Sequence, residues 1–167
     1  MPAPIAIIGF SFALRPEPLE PNPSNIELAR AMIMCKHRLR PGTPAVMLAQ
    51  WEIARALHWY NREEFRPALS VGPPTDGSYL DSRGVWEAAK TYCETHGIKV
   101  VVPVAQPFLH LPSVKQMIKK DGYTVLDIPI GKIPFDNSQF NTQPWTKSRF
   151  ALLKYAIKIK LGRSHGQ

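Results

Sequence analysis

The sequence predicts one α/β domain over residues 1–167, three layers deep (α/β/α), with a mainly parallel sheet of about five strands. Three observations lead there. Asp81 to His96 has the pattern of a single helix, Gly97 stops it, and Ile98 to Ala105 (IKVVVPVA) is an apolar, β-branched run suited to a strand covered on both faces. Comparable short runs elsewhere alternate with helical segments, the βαβ order that right-handed crossovers turn into a parallel sheet. With 167 residues and 44% hydrophobic content, the chain has enough apolar material for one substantial core.

In chain order, Ile5 to Phe12 (IAIIGFSF) is the first strand, with Gly9 near its exit. A loop carrying Pro16, Pro18, Pro21 and Pro23 follows. Ser24 and Glu27 have capping-box spacing, and Ile26, Ala29 and Ile33 then recur at helical intervals to about His37. Ala45 to Ala49 is a second strand, and Gln50-Trp51-Glu52 leads from it into a helix with Ile53, Ala56, Leu57 and Tyr60 on its apolar side. Residues 67–71 suit a short third strand, and Gly72 to Gly77 is dense in turn residues. Asp81 or Ser82 caps the central helix. After its strand comes the loop Gln106 to His110, a helix from about Pro112 to Lys120, the turn Asp121-Gly122 and a strand over Tyr123 to Ile128. Residues 129–144 are an irregular loop of a length often given to function. An amphipathic basic helix over about 145–161 closes the chain, with Lys147, Lys154 and Lys158 on one stripe and Leu152, Ala156 and Ile159 opposite.

Charge is uneven. Net charge is +8; residues 1–83 hold 9 Lys/Arg against 8 Asp/Glu, while residues 84–167 hold 12 against 5, and Asp136 is the last acid. Such a surface attracts phosphates, nucleic acid or anionic lipid, and a solvated basic face accounts for the lysines equally well. Cys35 and Cys93 both fall in helices, and neither a CxxC nor a zinc-type His/Cys spacing occurs, so no metal is expected. Two half-buried thiols fit a reducing compartment. No basic leader precedes the first strand, and the longest uncharged run, Val100 to Val114, is too short to span a bilayer. The expected location is cytoplasmic, with no transmembrane segment.

Several short motifs resemble the bacterial YdcF-like and SanA-like family (domain of unknown function 218). They are Ile7-Ile8-Gly9, Ser24 with Leu28 and Arg30, Glu52 with Ala54, the stretch Val102 to Val114, Gly122 to Val125, and Arg149 with Leu152 and Leu153. The resemblance spans nearly the whole chain. It implies a Rossmann-like fold, a nucleotide- or S-adenosylmethionine-like ligand and, in some members, a link to the cell envelope. Ala49-Gln50-Trp51 stands where the family has Ser-Gly-Gly. An ungapped alignment sets Leu109 and Pro112 at the family's His and Arg, and a one-residue insertion restores His110.

In a parallel α/β sheet, ligands gather at the carboxyl ends of the strands. The candidate residues therefore lie at strand exits. Gly9, Phe10 and Ser11 follow the first strand; no GxGxxG or Walker motif is present, and Gly9 serves a strand end as readily as a ligand. Gln50 and Trp51 follow the second, with Trp51 placed to stack on a base or to pack. Glu52 is a candidate acceptor for a ribose hydroxyl or a catalytic base, and equally a helix-start acid opposing the macrodipole. Ser82 and Arg83 open the central helix, Arg83 offering a planar fork to a phosphate. Gln106 and His110 follow the central strand, and His110 is a candidate general acid/base or phosphate donor. His37, His58, His96 and His165 form no metal spacing. The leading expectation is a small anionic ligand, nucleotide- or S-adenosylmethionine-like, in an enzyme or in a relative that only binds; no cofactor is specified. The alternative is a non-enzymatic module that lays its basic C-terminal helix, through Lys147, Lys154 and Lys158, on nucleic acid or an anionic membrane surface.

Overall fold

Three apolar runs make the centre of the sheet. They are β1 (Ile5–Gly9), β2 (Ala45–Gln50) and β4 (Val100–Val104), each buried along most of its length. Short strands β3 (Leu69–Val71) and β5 (Thr124–Val125) close the edges, and all five run parallel in the order β3-β2-β1-β4-β5. The computed structural model describes residues 3–15, 20–60, 62–73, 75 and 80–164, without the side chains of 161–164. Pro16 and Pro18, Pro74, Asp76 and Gly77 of the proline-glycine turn, and His165 lie outside the described residues.

Among the described residues, five helices connect and flank the strands: α1 (Pro23–Arg38), α2 (Trp51–His58), α3 (Ser82–Thr95), α4 (His110–Lys120) and α5 (Arg149–Ser164). Strand alternation divides the core. Ile7, Met47, Ala49, Val102 and Val104 pack with α1 and α2 on one face. Ala6, Ile8, Leu48 and Val101 pack with α3 and α4 on the other. This is a three-layer Rossmann-like architecture. The chain builds outward from β1 to β3, then returns to β4 on the far side of β1. The carboxyl ends of β1 and β4 thus form the topological switch point, where a crevice opens.

Several boundaries differ from the sequence expectation. The first strand ends at Gly9 rather than Phe12: Phe10 N–H still donates to Val104 O at 2.9 Å, but Phe12 N–H goes to Asn25 Oδ1. The Ser24–Glu27 capping box does not form. Asn22 caps α1 instead, its Oδ1 accepting Asn25 N–H at 2.9 Å, while Ser24 Oγ donates to Pro134 O at 2.7 Å and Glu27 pairs with Arg30. Helix α4 starts at His110, two residues before Pro112; proline in a first turn removes only an N–H that lacks an intrahelical partner anyway. β5 covers only Thr124–Val125, not Tyr123 to Ile128. The last helix begins at Arg149, because Pro144–Thr146 form a separate 3-10 turn and Ser148 Oγ accepts Ala151 N–H. Lys147 therefore stands before the helix and shares no stripe with Lys154 and Lys158.

The long loop before α5 is irregular, as expected, yet tied down. Arg15 grips Asp136 with two bonds of 2.8 and 2.9 Å. Buried Asn141 donates to Asp136 O and Thr146 Oγ1 and accepts from Leu14 and Gln143 N–H. These contacts fix the loop against the exit of β1. Among the described residues, no helix is long and apolar enough to cross a membrane, and no three His, Cys, Asp or Glu cluster as a metal site requires.

Candidate functional site

At the switch point the backbone departs from its usual range twice. Ala13, after β1, has φ 69°, and Leu109, at the amino end of α4, has φ 64°. Each such residue costs about 1–2 kcal/mol, and the hydrogen bonds around it must hold it there. Asn22 and Asn25 both donate to Ala13 O. At Leu109 the flanking groups do the same: His110 N–H donates to Phe108 O at 2.8 Å and Leu111 N–H to Gln106 O at 3.0 Å. That turn swings His110 toward the start of α3.

There His110 Nε2 lies 2.8 Å from Ser82 Oγ, 28 residues away in sequence. The imidazole is enclosed by the rings of Phe10 (6.4 Å, edge-on) and Phe12 (6.1 Å). Its Nδ1 is buried and has no hydrogen-bond partner among the described residues. Burial pushes the His110 pKa down to about 4, so the ring is neutral at pH 7. A neutral ring can accept the Ser82 hydroxyl proton at Nε2 or donate an N–H to that oxygen, depending on tautomer. With no carboxylate behind Nδ1, His110 is a weak base and a good hydrogen-bonding group.

A second polar pair stands beside it. Ser11 N–H donates to Gln50 Oε1 at 3.0 Å, and Ser11 Oγ donates to Glu52 Oε2 at 2.7 Å. Glu52 is buried, and desolvation raises its pKa despite the Ser11 hydrogen bond. Gln50 also reaches Leu80 O at 3.5 Å, so it braces β1, β2 and the approach to α3.

These groups border a pocket of about 380 Å³. Ser11, Gln50, Asp81, Ser82, His110 and Ser113 supply a polar floor. Leu152, Tyr155, Ala156 and Ile159 of α5 supply an apolar wall, completed by Phe12, Leu80, Leu109 and Trp145. Lys160 is the only Lys or Arg among the described lining residues. The volume lies within the range of small-molecule sites.

The expected site residues divide accordingly. Ser11, Gln50, Ser82 and His110 converge on this pocket from four different connections. Glu52 touches it only through Ser11. Arg83 is on the outer side of α3, paired with Glu87 at 3.2 Å and Asp121 at 3.5 Å, and does not line it. Trp51 is half-buried under the Arg55 guanidinium. Gln106 is buried, accepts Phe108 N–H at 2.7 Å and faces a separate groove beside residues 130–135. Phe10 is wholly buried. Gly9 has a packing reason to be glycine: a Cβ there would lie 2.5 Å from Met32 Sδ and 3.1 Å from Ile53 Cδ1. Gly9→Ala is therefore expected to cost about 1–2 kcal/mol in urea unfolding, overpacking outweighing the gain in backbone stiffness. A variant as stable as wild type would return Gly9 to the ligand side.

The α5 wall, Ser113 and Gln143 were not anticipated. The apolar period of Leu152, Ala156 and Ile159 was visible, but not that it faces the strand ends. Comparison with family models, curated proteins and solved structures gives no match.

Proposed function

We propose that the chain binds a small nucleotide- or S-adenosylmethionine-like molecule at the carboxyl edge of the sheet. Its polar, anionic end would lie on Ser11, Gln50, Ser82 and His110, and its planar or apolar body against α5. The observation that carries this reading is the convergence of those four side chains, from four connections, on one pocket at the switch point. The Asp81 carboxylate already caps the amino end of α3, so Lys160 at the α5 wall is what favours negative charge there. Arg83 takes no part, which separates this site from the one expected from sequence.

Chemically, the Ser82–His110 pair is suited to holding a hydroxyl, phosphate or carboxylate oxygen. A thermal-shift series with AMP, ATP, S-adenosylmethionine and inorganic phosphate is the direct test, since a ligand bound by the folded state alone raises its midpoint. At least one nucleotide-like compound is expected to raise it. Ser82→Ala and His110→Ala should each weaken that compound about tenfold, the size of one lost hydrogen bond. Arg83→Ala should leave it unchanged. No shift with any compound sinks the reading, and a loss in Arg83→Ala alone moves the site to the other side of α3.

A further inference from the structure

Helix α5 has two apolar faces. Leu152, Ala156 and Ile159 turn inward to the pocket. Phe150, Leu153 and Ile157 turn outward and are 76%, 44% and 50% exposed. At 3.6 residues per turn these three fall within about 60° of one another, in one continuous stripe. Lys154 and Lys158 border it on one side and Lys160 on the other, and the lysines flanking the stripe are exposed. Scattered exposed apolar residues are ordinary; a stripe of three large ones on a single helix needs a cover.

The charge around the stripe indicates which cover. After Asp136 the sequence has six Lys/Arg and no Asp/Glu. Two copies meeting stripe to stripe would bring their lysines together without acids on this helix to answer them. Nucleic acid would satisfy the lysines and leave Phe150, Leu153 and Ile157 facing phosphates. A bilayer with anionic headgroups meets both demands, taking the apolar stripe below the headgroups and the ammonium groups among them. We propose that the outer face of α5 seats the protein on an anionic membrane surface, with Phe150, Leu153 and Ile157 as the inserted residues and Lys154 and Lys158 as headgroup contacts. The helix lies in the interface rather than crossing it. The ligand pocket, on the inner face of the same helix, would then open close to the headgroup layer. The proposal does not depend on the ligand reading.

The experiment is vesicle co-sedimentation of the full chain with phosphatidylcholine alone and with phosphatidylcholine containing about one-third phosphatidylserine. Binding to the anionic vesicles only, falling with salt, is expected. Lys154→Gln with Lys158→Gln should weaken it roughly tenfold or more. Phe150→Ser with Ile157→Ser should weaken it comparably while circular dichroism and the thermal midpoint stay at wild-type values. Phe150→Trp should give a blue-shifted emission on anionic vesicles. Four results overturn the proposal. They are no vesicle binding, vesicle binding indifferent to the Phe150/Ile157 changes, preference for duplex DNA or single-stranded RNA over vesicles, and a dimer in sedimentation equilibrium that those apolar changes dissolve.

Discussion

Trp86→Ala is expected to remove about 3–5 kcal/mol of folding stability, the largest loss of any single substitution argued for this chain. Trp86 sits one turn into α3 and is fully buried against the α4 side of the sheet. Its ring meets Tyr123 edge-on at 5.0 Å, a favoured geometry for aromatic pairs. Its Nε1–H donates to Asp121 Oδ2 at 2.7 Å, and Lys90 and Arg83 approach the same carboxylate. These contacts tie the helix that carries Ser82 to the turn that closes the helix carrying His110. Truncation opens a cavity that packed strands cannot fill and leaves Asp121 with fewer donors. Total stabilities of domains this size run to about 5–15 kcal/mol, so the loss is a large share. Urea unfolding should show a lower midpoint with an unchanged slope. Trp86→Phe keeps most of the volume and should cost about 1.5–3 kcal/mol, the worth of a hydrogen bond to a charged partner. A loss below about 1 kcal/mol for the alanine variant would mean that α3 is not anchored through this ring. Because Ser82 and His110 sit at the amino ends of the two helices so joined, the variant should also weaken the ligand response.

The fold was legible where local chemistry and tertiary structure agree. Ile5–Gly9, Ala45–Gln50 and Val100–Val104 are buried on both faces, and their apolar runs say so without knowledge of neighbours. Asp81 caps α3, and Gly97 and Gly122 end helices with positive φ, which is what those residue types favour at helix boundaries. Legibility failed where a distant group decided between two local options. Asn22 and Ser24 are both good caps; Pro134 O, 110 residues away, claims Ser24 and leaves the helix to Asn22. Pro112 suits a first helical position, but Gln106 O draws in Leu111 N–H and starts the helix earlier.

The same holds for the site. Ser82 and His110 each stand out in the sequence for a different reason, and neither position carries a signal that the other is its partner. Strand order supplies that: the return from β3 to β4 brings the start of α3 beside the exit of β4. The Arg15–Asp136 pair and the Asn141 network were invisible because the loop before α5 has the composition of solvated chain while its polar groups are buried. A segment without hydrophobic period gives no sign of which of its polar atoms find partners.

The state of His110 decides what that site can do, and it predicts a pH dependence of stability. In the unfolded chain its imidazole titrates at the ordinary 6.5; in the folded protein burial between Phe10 and Phe12 holds it near 4. Between those values the unfolded state binds more protons, so stability rises with pH across this window and is lost as pH falls from 6.5 toward 4. The loss at pH 4 should be on the order of 2–3 kcal/mol, less than the full shift implies because the residue is partly open to the pocket. Glu52 acts in the opposite sense: desolvation raises its folded pKa, so protonation favours the folded state as pH falls. The two are separated by the difference between wild type and His110→Asn, each measured by urea unfolding at pH 7.5 and 4.5, in a Glu52→Gln background. Wild type should lose more than the variant by the stated amount. Equal losses would show that the ring protonates freely in the folded protein, and His110 would then be a cation available to phosphate. If the loss appears, His110 is neutral in the unliganded protein from pH 8 to about 5.5, and the charge that attracts an anion to the pocket must come from Lys160.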